Sequence, residues 1–172
     1  MVSLDSEYNL RRSQCEQVAA HFGIQALRDL SIERLDSEKE LLNDELYRRA
    51  RHVITENNRT ELMLEAMLNH DIDSMSTLMR DSHASMRDDY EITTKEIDGL
   101  VSMIDKHIGQ SGGVRMTGGG FGGCVVSLVP KEMTDSLIYL VNEQYERMFN
   151  IVPEIFVCIA TQGAFRTITK EG

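Results

Sequence analysis

The residues best suited to chemistry form a glycine-rich run about two-thirds of the way along the chain. Val114 to Val126 reads V-R-M-T-G-G-G-F-G-G-C-V-V, with apolar, β-branched residues on both sides of the glycines. Glycine lets the backbone turn through positive φ and lets N–H groups approach a ligand, and successive N–H groups that point into one concavity bind anions. The run predicts a strand–loop–strand element that contacts a phosphate-bearing substrate. The alternative is a tight hairpin in which the glycines serve only the turn. The loop residues are Gly118, Gly119, Gly120, Phe121, Gly122 and Gly123.

Two known patterns match this run by letter but not by context. Gly118-x-Gly120-x-x-Gly123 fits the dinucleotide-binding fingerprint, which requires a helix directly after the loop. Here the loop leads into Cys124–Val129, an apolar run of strand length. With Val125 the pattern becomes that of the protein kinase glycine-rich loop, but no V-A-I-K, H-R-D or D-F-G motif accompanies it. We therefore reject both literal matches.

Other reactive side chains show no catalytic or metal-binding spacing. The five histidines form neither H-E-x-x-H nor a paired pattern, and no Ser–His–Asp or Cys–His arrangement stands out. Asp88 and Asp89 would point about 100° apart on a helix, so we expect them to cap or solvate its end rather than share one target. The sequence has no P-loop and no acidic residue placed as a base. If the chain is a kinase, it therefore contains only half of the parts that phosphoryl transfer requires. The clustered arginines are interpreted as solvated faces or ion-pair partners: Arg11, Arg12, Arg48, Arg49 and Arg51.

Composition restricts the class of protein. The 172 residues carry a formal net charge of −10, which argues against general nucleic-acid binding because that depends on clustered cations. No apolar stretch reaches the roughly 18 residues of a membrane span, and no signal peptide precedes Asp5. The three widely spaced cysteines match neither a zinc pattern nor a disulfide framework. We expect a single soluble, cytosolic domain with free, buried thiols.

The elements that must position the loop are mainly helices. Apolar periodicity and end signals predict helices over Ser6–Phe22, Asp44–Asn69, from Asp71 onward, from a capping box at Thr93–Glu96 to Gly109, and over Lys131–Asn150. Strands are predicted at Val114–Thr117, Cys124–Val129 and Glu154–Ala160. Helices first, then strand, strand, helix and strand, predict an α+β fold in which helices pack on a small, mostly antiparallel sheet.

Four segments, in order, resemble the galactokinases of the GHMP kinase superfamily. Gly112–Cys124 resembles the third signature motif of that family. Ser82–Glu91, S-H-A-S-M-R-D-D-Y-E, resembles its S-H-x-S-x-R-D-D-[YF]-E block, and Ser6–Cys15, S-E-Y-N-L-R-R-S-Q-C, resembles its S-E-Y-x-x-R-R-x-Q-C segment. Arg51–Thr60 resembles a stretch between those two. The likeness runs from about Asp5 to Gly163.

The resemblance implies that the chain is part of a larger enzyme. Galactokinases have two lobes with the active site between them, and the likeness places residues 1–172 in the C-terminal lobe as one domain, with the N-terminal lobe absent. The family's galactose signature, ATP phosphate loop and catalytic aspartate lie upstream, so no catalytic residue and no metal ligand is assigned here. ATP and Mg²⁺ would be bound mainly by the N-terminal lobe. By resemblance, Tyr8 would contact the sugar and Gly118–Gly123 would lie near the phosphates. One departure is Asp81, where the family more often has glutamate; the charge is kept.

The expected reaction of the whole enzyme is transfer of the γ-phosphate of ATP to the anomeric hydroxyl of galactose, and the chain alone is expected to be inactive. Two alternatives stay open. One is a non-catalytic sensor of galactose and ATP with the same fold, acting on a transcriptional partner; the other is a related N-acetylgalactosamine kinase. A lobe on its own should also expose apolar surface, so self-association is expected.

Overall fold

The structure, a computed structural model, describes residues 4–159. The helices are α1 (Leu4–His21), α2 (Ile32–Ser37), α3 (Asp44–Leu68), α4 (Ile72–Asp88), α5 (Lys95–Ile108) and α6 (Thr134–Phe149). The strands are β1 (Gly113–Thr117) and β2 (Cys124–Leu128), paired antiparallel. The predicted α+β class, with helices on a small antiparallel sheet, is confirmed. Within the described part of the chain, no helix is long and apolar enough to cross a membrane.

Side-chain caps fix the helix starts near the predicted places. Asp71 accepts the Ser74 N–H at 3.0 Å and so begins α4. The cap of α5 is Thr94, which accepts from the Ile97 N–H, one residue later than the predicted capping box implies. The Thr93 hydroxyl donates instead to the Asp98 carboxylate at 3.2 Å.

The outer edge of β1 is closed by a helix. The Met116 N–H donates to Nδ1 of the buried His83 on α4, at 3.3 Å, so it points away from β2. Because Nδ1 accepts this bond, the ring is the neutral tautomer with its proton on Nε2. Burial lowers the pKa of His83, in keeping with the neutral form. An imidazole thus takes the place that a third strand would occupy beside Met116.

Two hydrophobic clusters fill the interior. The helix-side core is built by α1, α2, α3 and their connections: Val18, Ala19, Phe22, Leu27, Leu30, Leu35, Ala50 and Ile54. The sheet-side core lies among α4, α5, α6 and the two strands: Met86, Ile92, Ile97, Val101, Met103, Ile104, Ile108, Val114, Met116, Leu137, Val141 and Tyr145. The sheet-side core includes the inward face of the amphipathic helix α5. The expected burial of the thiols is wrong for Cys124 and Cys158, which are exposed.

The predicted strand at Glu154–Ala160 is wrong over residues 154–159, which have no regular secondary structure; Ala160 lies outside the described residues. Phe156 and Ile159 are 75% and 79% exposed. An apolar, β-branched run favours a strand, but a strand forms only where a neighbour satisfies its backbone groups. Residues 154–159 pair with no strand in the described part of the chain.

Candidate functional site

The glycine-rich run forms the connection between β1 and β2, as predicted. It occupies Gly118–Gly123, between the last paired residues Thr117 and Cys124. This connection is longer than the two-residue turn of a tight hairpin. A loop of this length and conformation can join the strands and also present backbone N–H groups to an anion. Backbone φ is positive at most of its positions: Gly118, Gly120, Phe121, Gly122 and Gly123.

The tip of the loop is attached to the residues just before α5. The Phe121 N–H donates to the carbonyl oxygen of Ile92 at 2.6 Å, so this N–H is not available to a ligand. Gly120 packs on the same residue: a Cβ at position 120 would lie 2.7 Å from the Ile92 Cβ, and its φ is +87°. Glycine is therefore required at position 120 both by the close approach and by the backbone conformation.

Three arginines hold the five residues Asp88–Ile92, called the 88–92 segment below. With the Phe121 bond to Ile92, every carbonyl of this segment accepts a hydrogen bond from an arginine or from the glycine loop. A segment paired in this way can move only by leaving backbone groups unsatisfied. The guanidinium donations are Arg48 to Asp88 (3.0 Å), Arg49 to Asp89 (2.6 Å), and Arg11 to Tyr90 (2.8 Å) and Glu91 (3.1 Å).

Arg49 is the most deeply buried of the three arginines, at 1% exposure. It also donates to Oε1 of Gln14 at 3.2 Å and to the carboxylate of Glu91 at 2.6 Å. The bond from Arg49 holds the pKa of Glu91 below its usual value. The predicted ion-pair role of the arginines is confirmed, but a solvated position is wrong for Arg11 and Arg49. Carbonyl and carboxylate acceptors compensate for the loss of water around them.

Arg115 of β1 makes a second set of bonds, to α3 and α4. Its Nη1 donates to Oγ of Ser82 at 2.7 Å and to Oε1 of Glu56 at 3.1 Å. The Ser82 hydroxyl donates to the same Glu56 oxygen at 2.6 Å, and Arg59 donates to the other at 2.7 Å. Burial alone would raise the pKa of Glu56, but the bonds from Ser82 and Arg59 outweigh it and lower the pKa. The carboxylate is therefore ionised at neutral pH.

A histidine, a serine and an aspartate also meet inside the fold, but in an order unsuited to nucleophilic catalysis. Nδ1 of His52 lies 2.9 Å from Oγ of Ser85, whose hydroxyl donates to the Asp89 carboxylate at 2.9 Å. The serine oxygen therefore accepts from the imidazole, whereas a serine nucleophile must give its proton to the imidazole. Burial lowers the pKa of His52 to about 4, and its ring stacks on Tyr90 at 4.4 Å. The arrangement is structural.

These bonds form one polar layer, called the polar seam, which joins α1 and α3 to α4, β1 and the 88–92 segment. All four segments that resemble galactokinases contribute to it. Most of the side chains that carry the resemblance thus form hydrogen bonds or ion pairs within the fold. The polar seam consists of Arg11, Gln14, Arg49, His52, Glu56, Ser82, Ser85, Asp89 and Arg115.

The predicted sugar contact, Tyr8, is 63% exposed on α1. It lies about one helical turn before Arg11, which holds the 88–92 segment. The structure therefore connects Tyr8 and the glycine loop through Arg11 and the 88–92 segment.

The sequence did not predict the hydrogen bonds that Arg11, Arg49 and Arg115 make within the fold. Arg11 and Arg115 lie inside the segments that resemble galactokinases. Their position in these motifs could have indicated a specific role, whereas their charge alone indicated only solvent exposure or ion pairing. Asp88 and Asp89 do not share a target, as predicted. Asp88 is exposed and pairs with Arg87 at 2.8 Å, whereas Asp89 is buried and accepts from Ser85 and from Arg51.

Comparisons with known proteins agree with this geometry. Residues 63–146 match the family described as GHMP kinases C terminal. The chain is 48% identical over 160 residues to a galactokinase of Actinobacillus succinogenes, covering 91% of the chain and 42% of that protein. It is 46% identical over 160 residues to a galactokinase of Haemophilus influenzae, with the same coverage of 91% and 42%. The chain thus spans well under half the length of these curated relatives.

A solved structure shows the same fold. The crystal structure of Lactococcus lactis galactokinase complexed with galactose superposes with a TM-score of 0.79 and 34% sequence identity. The superposition covers 86% of this chain and 39% of that one. Residues 63–146 therefore match a GHMP kinase C-terminal domain, and in sequence and fold the chain is similar to the C-terminal part of galactokinases.

Proposed function

We propose that the protein to which this chain belongs transfers the γ-phosphate of ATP to the anomeric hydroxyl of galactose, giving galactose 1-phosphate. The observation that carries the proposal is the similarity in fold to a galactokinase complexed with galactose, at a TM-score of 0.79 and 34% identity. Nearly half of the aligned residues are also identical in proteins named galactokinase, at 48% and 46%.

In this proposal the chain positions substrates and does not supply the reacting groups. Tyr8, exposed on α1, contacts the sugar, and Gly118–Gly123 lie near the phosphates of ATP. Phosphoryl transfer depends mainly on alignment of the acceptor oxygen and on stabilisation of charge around the transferred group. Backbone N–H groups of a loop with positive φ are suited to the second task, because they add donors without side chains.

We propose that the N-terminal lobe supplies the catalytic aspartate, the Mg²⁺ site and most contacts to ATP. Bound Mg²⁺ would neutralise charge on the phosphates. Among residues 4–159 no group of three or more His, Cys, Asp or Glu side chains is placed to hold a metal ion. Glu56 and Glu91, two carboxylates near the loop-bearing elements, are already paired with arginines. The chain alone is accordingly proposed to be inactive.

We further propose that residues 1–172 form one domain, because the polar seam bonds the elements of the two cores together. This domain exposes apolar side chains in the residues after α6, among them Val152, Phe156 and Ile159 at 73%, 75% and 79% exposure. Exposed apolar surface of this kind promotes association. Size-exclusion chromatography with light scattering should show self-association of the chain; a clean monomer at high concentration would contradict it.

The test of the proposed function is galactose-dependent ADP release, measured for the chain alone and for the chain mixed with a separately expressed N-terminal lobe from the same gene. We expect activity only in the mixture. Robust turnover by the chain alone would refute its inactivity. Silence in both samples, with each lobe shown to be folded, would favour the non-catalytic sensor. Replacing galactose by N-acetylgalactosamine in the same assay separates the two kinase activities.

A further inference from the structure

Arg11 connects α1 to the glycine loop through a continuous series of contacts. Arg11 donates to the carbonyls of Tyr90 and Glu91 at 2.8 and 3.1 Å. The next carbonyl, that of Ile92, accepts from the Phe121 N–H at the tip of the loop. The Arg11 guanidinium carbon also lies 5.8 Å from the centroid of the Phe121 ring, within the range of a cation–π contact. One side chain therefore contacts both the 88–92 segment and the loop.

We infer that Arg11 is a positioning residue that fixes the glycine loop relative to Tyr8. Both Tyr8 and Arg11 belong to α1, three residues apart, so their backbones are separated by about 4.5 Å along the helix axis. The physical link stands on these contacts alone. What the two ends bind, sugar at Tyr8 and phosphate at the loop, rests on the proposed function.

The shape of an arginine is what this place requires. The side chain is buried, at 7% exposure, and donates to two adjacent carbonyls while its guanidinium carbon lies over the Phe121 ring. A guanidinium presents several donors in a fixed plane, whereas a lysine ammonium is a compact, strongly hydrated charge. Lysine at position 11 would keep the charge but not hold both carbonyls and the ring together.

The consequence for phosphoryl transfer is geometric. The acceptor oxygen of a sugar near Tyr8 must meet a phosphate near the loop in line, and a displacement of about 1 Å can cost about a hundredfold in rate. A loop released from the 88–92 segment could still contact ATP, and Tyr8 could still contact sugar. Loss of Arg11 should therefore lower kcat more than it changes either KM.

The first experiment measures the loop directly in the full chain. Amide exchange of Phe121 and of the loop glycines is followed by NMR in the unaltered chain and in Arg11→Met, Arg11→Lys and Arg12→Met. Arg12 is the matched control, because it is exposed and, among the described residues 4–159, it bonds within α1, to Glu16 at 2.9 Å. We expect the Phe121 amide to exchange about tenfold faster in Arg11→Met and Arg11→Lys, while the exchange rates of amides within α5 stay nearly unchanged.

A second variant approaches the same contact from the loop. Gly120→Ala places a Cβ against Ile92 and should release Phe121 in the same way. Once the contact is broken, adding Arg11→Met should change Phe121 exchange little further, because the two changes act on one link. This variant also keeps the inference testable if Arg11→Met does not fold. Full additivity of the two changes, or unaltered Phe121 exchange in folded Arg11→Met, would overturn the inference.

The kinetic experiment uses the two-lobe assay with the same variants, at a temperature where each is folded. We expect Arg11→Met to lower kcat by about tenfold or more and to change each KM by less than about threefold. An increase in KM with kcat unchanged would overturn the positioning role. If the unaltered chain shows no galactose-dependent turnover with its N-terminal lobe, the proposed function fails, and the exchange experiment alone then decides the physical link.

Discussion

The polar seam and the sheet-side core hold neighbouring parts of the same molecule by different means. The sheet-side core is an apolar cluster in which Val114 and Met116 of β1 are fully buried. The polar seam buries charge instead, with Arg49 at 1% exposure bonded to the Asp89 carbonyl and to the Glu91 carboxylate. Apolar packing is non-directional, whereas a buried arginine is satisfied only in one geometry. Burial of apolar surface thus stabilises the strands, whereas directional hydrogen bonds stabilise the 88–92 segment that contacts the loop.

The largest difference should appear when one partner is removed from each region. Arg49→Met keeps most of the volume but leaves the Asp89 carbonyl and Gln14 without their donor. We expect a loss of about 3–5 kcal/mol in the free energy of unfolding. Urea unfolding at pH 7, followed by far-UV circular dichroism, measures it. A loss below about 1 kcal/mol would mean that the polar seam contributes no more than a surface pair.

The matching change in the sheet-side core is Met116→Ala. Met116 is completely buried, so the substitution removes apolar contacts and leaves a cavity. We expect a loss of about 2–5 kcal/mol, with little dependence on salt or pH. The same urea experiment at two salt concentrations is the check. A strong salt dependence for Met116→Ala would show that the two regions are not distinct in kind.

Acid should weaken the polar seam in particular. The pKa of His52 is about 4 in the fold and 6.5 without it, so between these values the unfolded chain binds a proton that the folded chain does not. Stability from this residue is therefore complete above pH 6.5 and falls as the pH drops towards 4, by up to about 3 kcal/mol. His52→Gln should flatten this part of the stability–pH curve. The control His70→Gln, at an exposed position, should leave the curve as it is.

The smallest effect is expected where a charge pair lies outside both regions. Arg147 and Glu143 form an i,i+4 pair on α6 at 2.6 Å, and the Arg147 side chain is 76% exposed. Arg147→Met should cost no more than about 0.5 kcal/mol, and less at high salt. The comparison with Arg49→Met contrasts a buried arginine that has several partners with an exposed arginine in a single pair. Equal losses for the two arginines in the urea experiment would contradict a larger contribution from the buried, multiply bonded one.

The sequence predicted the elements of the fold better than their contacts. Helical periodicity, the change of period at Val114 and the glycine loop were readable because they depend on neighbours within a few residues. The role of Arg49 was not readable, because its main partners lie about forty residues away and its charge suggested solvent. The strand predicted at Glu154–Ala160 failed over residues 154–159 for a related reason. Local composition favours a strand, but only a partner can complete one.

The site was predicted in part. A loop between two strands was foreseen from its glycines, and the structure places Gly118–Gly123 there. The sugar and phosphate roles of Tyr8 and of this loop stay predictions. The attachment of the loop through Ile92 could not be read, because a backbone carbonyl carries no side-chain signature.

The bonds from Arg11 to Tyr90 and Glu91 bear on the order in which the chain folds. They join residues 79 and 80 positions apart, whereas α3 and α4 are separated only by residues 69–71. Contacts that close long loops cost more conformational entropy before they stabilise the chain, so local hairpins form earlier. The α3–α4 pair and the β1–β2 hairpin should therefore form in the folding transition state, with α1 docking afterwards. Substitutions at Arg11 should then speed unfolding and leave the refolding rate nearly unchanged.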